Sequence, residues 1–277
     1  MIRGLTGAGL GGAADVDWIP LAAKYGFESV DTSASGLVDR FGVDGARAYL
    51  AEHGVSLGSI GLPVEWRGTD EQFRAGLPQL VKEASAAAEL GCKSCCTYVL
   101  PSTDQKAAHF MVLATTRLRV CAEILASFGI RLGLEFVGPH HLRTRWANPF
   151  VWTMQETLDW IEAIGCSNVG LLLDGYHWYT NEMSLDDMLQ LRADQIVHVH
   201  LNDAPDVPVA EVLDNGRLYP GEGVIDLVGF IRALQKIGYT GPVTQEILTQ
   251  APPEGTLEQL LDRSKRGYDK VFGAVEA

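Results

Sequence analysis

Short runs rich in apolar residues recur along the chain, and a longer stretch with apolar positions every three or four residues follows each one. The short runs read as β-strands at residues 2–6, 29–32, 55–61, 94–100, 130–136, 169–174, 196–201 and 242–247. The longer stretches read as helices at 16–25, 38–53, 70–90, 105–128, 153–164, 185–191, 225–237 and 257–272. Eight of each alternate without a linker, and 277 residues over eight units give about 35 per unit. Such an alternation predicts parallel strands covered by helices. The expected fold is α/β, a single (β/α)8 TIM barrel forming one domain over residues 1–277.

Glycine punctuates this pattern. Gly26, Gly54, Gly91, Gly129, Gly165 and Gly238 each follow an apolar-periodic stretch and precede the next strand, as helix stops do. A doubly wound sheet would instead need a phosphate-binding G-x-G-x-x-G turn after an early strand. Gly9-Leu10-Gly11-Gly12 lacks that spacing and reads as a βα loop.

In such barrels, chemistry gathers where the strands end. Strand five, Arg131-Leu132-Gly133-Leu134-Glu135-Phe136, alternates so that Gly133 and Glu135 face the interior. Strand six is apolar until its last residue, Asp174. Strand seven, Val197-His198-Val199-His200-Leu201, puts its histidines on one face and its valines on the other. Strand eight places Thr244 and Glu246 opposite Val243 and Ile247. Four consecutive strands thus deliver Glu135, Asp174, His200 and Glu246 to one end. Three carboxylates cannot all stay ionised together without a cation. A divalent metal resolves the conflict, and three oxygens with one nitrogen suit Mn²⁺, Mg²⁺, Co²⁺ or Zn²⁺. His198, deeper in the barrel, reads as a satisfied interior histidine.

Composition narrows the class. Hydrophobic content of 47% and charged content of 21% describe an ordinary folded protein. The 22 Lys and Arg against 35 Asp and Glu leave a net charge of −13, which argues against a nucleic-acid partner. No long uncharged apolar stretch predicts a membrane span, and the N-terminus lacks a signal-peptide pattern, so a cytoplasmic location is expected. Cys92, Cys95, Cys96, Cys121 and Cys166 are odd in number and scattered, which suits buried thiols in a reducing compartment.

The segments Gly133-Leu134-Glu135-Phe136, Leu173-Asp174-Gly175-Tyr176-His177, His198-Val199-His200-Leu201-Asn202-Asp203 and Gln245-Glu246 resemble the xylose isomerase-like TIM-barrel sugar isomerases and epimerases. Within that superfamily, residues 169–174, His177, and residues 200–208 and 219–227 are most similar to inosose (2-keto-myo-inositol) isomerases. The resemblance implies one divalent ion, Mn²⁺ favoured, on Glu135, Asp174, His200 and Glu246. It implies that Glu135 and Glu246 exchange protons with the carbon beside a substrate carbonyl through an enediolate, with His177 contacting substrate oxygen. The implied partner is a keto-sugar or cyclitol, and the implied assembly a homodimer or homotetramer.

The chain departs from its relatives in telling places. His141 and Asp206 stand where ketose 3-epimerases carry a glutamate and an arginine. Residues 136–140 lack the lysine of xylose isomerases proper. Asn215-Gly216-Arg217 replaces the Asp-Arg-His of endonuclease IV, which with the acidic charge argues against DNA repair. The alternatives are a metal-dependent lyase or hydrolase on 3-keto sugar glycosides and a non-catalytic sugar binder.

Residues 137–152 form a sixteen-residue loop holding His141, Arg143, Arg145 and Trp146, expected to cover the mouth and contact substrate. In a second loop, 202–223, Asp203 and Arg217 are expected to orient the metal-bound histidine or the substrate.

Overall fold

In the computed structural model, which describes residues 1–276, eight strands lie side by side in chain order and close on themselves. They are β1 Ile2–Leu5, β2 Ser29–Asp31, β3 Ser56–Gly61, β4 Ser94–Val99, β5 Arg131–Phe136, β6 Val169–Asp174, β7 Ile196–Leu201 and β8 Pro242–Gln245. Neighbours pair in parallel all the way round, and β1 bonds both β2 and β8, so the barrel has no open edge. The strands stand where the apolar runs place them, trimmed at most by two residues at an end.

The helices are α1 Asp15–Ala22, α2 Ala34–Glu52, α3 Asp70–Glu89, α4 Ala107–Ser127, α5 Met154–Ile164, α6 Leu185–Met188, α7 Leu227–Lys236 and α8 Leu257–Glu276. All six expected glycine stops have left-handed φ, from 64° at Gly54 to 84° at Gly238. At α5 both ends are signalled locally. Thr153 and Glu156 form a reciprocal cap at its start, and Gly165 N–H closes the last turn onto the Ile161 carbonyl.

Helix α2 begins four residues before the expected position 38, and its reason is distant in sequence. The buried Glu83 carboxylate of α3 accepts the backbone N–H groups of Ala34 at 2.6 Å and Ser35 at 3.2 Å, and the Ser33 hydroxyl at 3.0 Å. A carboxylate at a helix N-terminus satisfies N–H groups that have no partner within the helix. The predicted helix at 185–191 is shorter, a single turn ending at Met188.

Two strands break strict alternation. Leu171 pairs with Ile196 and Leu172 with His198, so Val197 is an extra residue in β7. A Cβ placed on the interior Gly133 would lie 3.3 Å from Val197 Cβ, so Val197 points inward rather than outward with Val199. The second irregularity skips Gly58, because Val30 pairs with Leu57 but Asp31 with Ser59. Both bulges lie beneath the mouth. They steer His198 and Asp31 toward each other across the barrel interior.

Between barrel and helices lies a continuous apolar layer that includes Trp18, Phe27, Phe136, Phe230 and Tyr268. Burying side chains of this size stabilises the fold by about 1.5–3 kcal/mol each before entropy is subtracted. Among the described residues, no helix is long and apolar enough to cross a membrane.

Candidate metal centre and active site

Asp174 ends β6 and serves as N-cap of the helical turn Gly175–Thr180, so its position is fixed twice by backbone. Its Oδ1 accepts Tyr176 N–H at 2.6 Å and the Asn202 amide at 3.0 Å, while Oδ2 accepts Arg217 Nη1 at 2.8 Å. Burial opposes its charge, but the Arg217 guanidinium together with His177, His200 and the Tyr176 N–H outweighs it and holds the carboxyl well below its ordinary range.

Around it the strand ends converge. One ligand atom each from Glu135, Asp174, His200 and Glu246 falls in a group whose members all lie within 4.8 Å of one another. His200 Nδ1 faces Glu246 Oε2 at 3.3 Å, Glu135 Oε1 at 3.5 Å and Asp174 Oδ2 at 3.9 Å. Despite these approaches, His200 Nδ1 and Glu135 Oε1 are buried without a hydrogen-bond partner. Orphaned buried polar atoms are costly. A nitrogen lone pair and carboxylate oxygens converging on one point are what a divalent cation requires. The residues therefore fit a metal ion, and among the described residues no cysteine belongs to the group.

Arg217 belongs to the site through contacts other than those expected. Its side chain is buried, and Nη1 bridges Asp174 Oδ2 and Glu246 Oε2 at 2.8 Å each, while Nη2 holds Asp214 Oδ1 at 2.8 Å. Expected to orient the metal-bound histidine or the substrate, it grips two carboxylates of the cluster. Burial raises Glu135 above the usual carboxylate range, whereas at Glu246 the His200 imidazole and Arg217 overcome burial and hold it at about 2.

His177 is buried on the turn after Asp174, with Nε2 at 3.8 Å from Glu135 Oε1. Its Nδ1 accepts Gly138 N–H at 3.3 Å, which places the ring proton on Nε2. Nε2–H then faces Glu135, and the 3.4 Å approach of Arg217 Nη2 to the same nitrogen is a contact between two donors.

The cluster floors a cavity of about 300 Å³ at the mouth, where Glu135, His200 and Glu246 are reached past Thr6, Ser33 and Tyr98. Tyr98 is 48% exposed, with the Arg67 guanidinium 4.0 Å from its ring centroid. None of His141, Arg143, Arg145 and Trp146 lines this cavity, and His177 and Arg217 are buried behind its wall. Arg143 bonds the carbonyls of Gly138 and Thr180 and lies over Trp152, bracing the loop. His141 sits with it on a short helical turn, His140–Arg143. Arg145 lies exposed over Trp146, which borders a separate recess of about 270 Å³ with Trp66 and Arg67. The expected lid is thus a braced segment, pinned further by pairing of Asn148–Pro149 with Ser102–Thr103. Asp203 stays outside the cluster, its carboxylate accepting N–H groups of Ala204, Gly221, Gly223 and Ile225 to shape the loop.

Sequence patterning ranked neither Asn202 nor Asp31. Asn202 had one local signal, a polar residue directly following the histidine strand. Asp31 Oδ2 lies 2.6 Å from His198 Nε2, and that partner is 167 residues away.

Comparison with known proteins agrees with this architecture. The chain belongs to the xylose isomerase-like TIM barrel family, which it matches over residues 19–266. It is 25% identical over 263 residues to an inosose isomerase of Bacillus velezensis, covering 91% of this chain and 90% of that protein. A solved xylose isomerase domain protein from Alicyclobacillus acidocaldarius superposes with a TM-score of 0.92 at 34% identity over the whole of both chains. The IOLI protein with a binding zinc atom shares the fold at a TM-score of 0.81 and 20% identity, covering 98% of each chain.

Proposed function

We propose that this protein is a divalent-metal-dependent isomerase or epimerase that moves a proton next to the carbonyl of a keto-polyol, with an inosose-like cyclitol as its substrate. The observation that carries this reading is the convergence of Glu135, Glu246 and His200, whose buried Nδ1 has no hydrogen-bond partner, at the floor of the mouth cavity, with Asp174 buried behind them. Similarity to the Bacillus velezensis inosose isomerase over nearly all of both chains supports the substrate class.

A bound divalent ion supplies the Lewis acid that acidifies a C–H beside a carbonyl and offsets enediolate charge. Mn²⁺ is the favoured ion, with Mg²⁺, Co²⁺ and Zn²⁺ compatible with the donor set, and the zinc of the IOLI structure supports divalent binding in this fold. The chain's own residues do the rest. Glu135 from β5 and Glu246 after β8 reach the cavity from walls three strands apart, so one takes the proton and the other returns it. His177, buried behind the cavity wall with Nε2 3.8 Å from Glu135 Oε1, serves a substrate oxygen that reaches past Glu135, by a hydrogen bond or by passing a proton between oxygens. Arg217 keeps Asp174 and Glu246 in place through both proton transfers.

The test is to strip the protein with a chelator, restore single divalent ions and follow 2-keto-myo-inositol by NMR. An isomer of equal mass, formed only with metal, is expected. No product with any of the four ions contradicts the reading. Release of an aglycone from a 3-keto glycoside, with no isomer formed, replaces it with a lyase or hydrolase.

A further inference from the structure

His200 has two ring nitrogens, and the cluster occupies only one. Nδ1 faces the three carboxylates. On the proposed metal-binding reading, Nδ1 offers its lone pair, so the ring proton resides on Nε2. That N–H takes an acceptor, and a protein acceptor, unlike water, fixes the tautomer and plane of a ligand imidazole. The carboxylate facing His200 Nε2 is Asp31, whose Oδ2 approaches from the far side of the barrel to 3.9 Å, a few tenths of an ångström outside hydrogen-bond length.

Asp31 is itself held. The same Oδ2 takes a 2.6 Å hydrogen bond from Nε2 of His198, a fully buried ring set perpendicular to His200 with centroids 5.4 Å apart. One carboxylate oxygen has lone pairs for two N–H donors. Both strand bulges contribute, since the extra residue in β7 sets His198 beside the interior and the skipped Gly58 lets Asp31 turn in. A Cβ at Gly58 would come within 2.6 Å of Asp31 Oδ1, so the position leaves room for that carboxylate.

We propose that Asp31 is a positioning residue that accepts His200 Nε2–H and sets its Nδ1 for metal, with His198 anchoring Asp31 in turn. Asp31, His198 and His200 also form a group with ligand-like spacing, but the direct Asp31–His198 hydrogen bond accounts for it without a second ion.

The test is calorimetric titration of chelator-stripped full-length protein with Mn²⁺ alone, which needs no substrate. Wild type should bind one equivalent, and Asp174→Asn should bind far more weakly. Asp31→Ala should weaken binding about 10–100-fold, the usual cost of losing such a support. Asp31→Asn keeps an acceptor and should lose less. Nitrogen-15 spectra of His200 in the Zn²⁺-loaded wild type should show an Nε2 proton protected from exchange with solvent, and rapid exchange there overturns the proposal if Asp31→Ala does not fold. Wild-type affinity in Asp31→Ala, or equal losses in both Asp31 variants, overturns the positioning role while leaving the metal reading intact. Two equivalents falling to one in Asp31→Ala makes Asp31 a ligand and overturns it too. Absence of Mn²⁺ binding in wild type overturns the metal reading and this inference together.

Discussion

At the scale of single residues, Arg217 decides how the site survives without an ion. Its guanidinium is buried against Asp174 and Glu246, and removing one partner of a buried charge network costs about 3–5 kcal/mol. Arg217→Ala should therefore unfold at markedly lower denaturant in the metal-free protein, and added Mn²⁺ should restore part of the loss. Chemical unfolding with and without the ion checks this, and equal losses in both conditions would count against a shared electrostatic role. Arg143 predicts the opposite pattern. It bonds backbone carbonyls of the loop rather than lining the cavity, so Arg143→Ala should lower the thermal midpoint while changing kcat/KM less than tenfold. The four metal-ligand candidates were legible because each closes an otherwise apolar strand or shares its inward face. Asp31 and Glu83 were not, since an isolated acid gives no sign of partners 167 or about 50 residues away.

At the scale of elements, the turn after β6 and the loop after β5 interlock behind the cluster. A methyl at Gly138 would fall 2.4 Å from Thr180 Oγ1, 2.6 Å from Asn181 Nδ2 and 3.0 Å from the His177 carbonyl oxygen. Gly138→Ala must push the loop away and break the N–H that sets the His177 tautomer. A stability loss of about 1–3 kcal/mol is expected, from overpacking. Turnover should fall with KM little changed, as steady-state kinetics on the folded variant would show. Strand positions were readable from apolar runs and glycine stops because both signals are local. The bulges at Gly58 and Val197 were invisible to period-two reasoning, since a bulge depends on the partner strand's register. The loop over residues 137–152 was readable as long and basic. Whether its arginines meet substrate or backbone depends on Thr180 and Asn181, which no local pattern reveals.

For the whole molecule, an acidic chain of net charge −13 concentrates buried carboxylates at one barrel end and sets Arg217 against two of them, and the proposed cation would offset the rest. Ligand linkage then predicts that saturating divalent ion stabilises the native state by RT ln(1 + [L]/Kd), about 2.7 kcal/mol at one hundred times Kd. A thermal midpoint that rises with Mn²⁺ and falls back with chelator checks this, and Glu246→Gln should blunt the rise. The central claim concerns chemistry, and deuterium transfer reads it most directly. Metal-loaded protein and 2-keto-myo-inositol in D₂O, followed by proton NMR, should lose the signal of the C–H beside the carbonyl. That loss should require the ion and be abolished in Glu135→Gln and Glu246→Gln. Retention of the C–H signal under turnover, or exchange at the wild-type rate in both glutamine variants, would contradict the account.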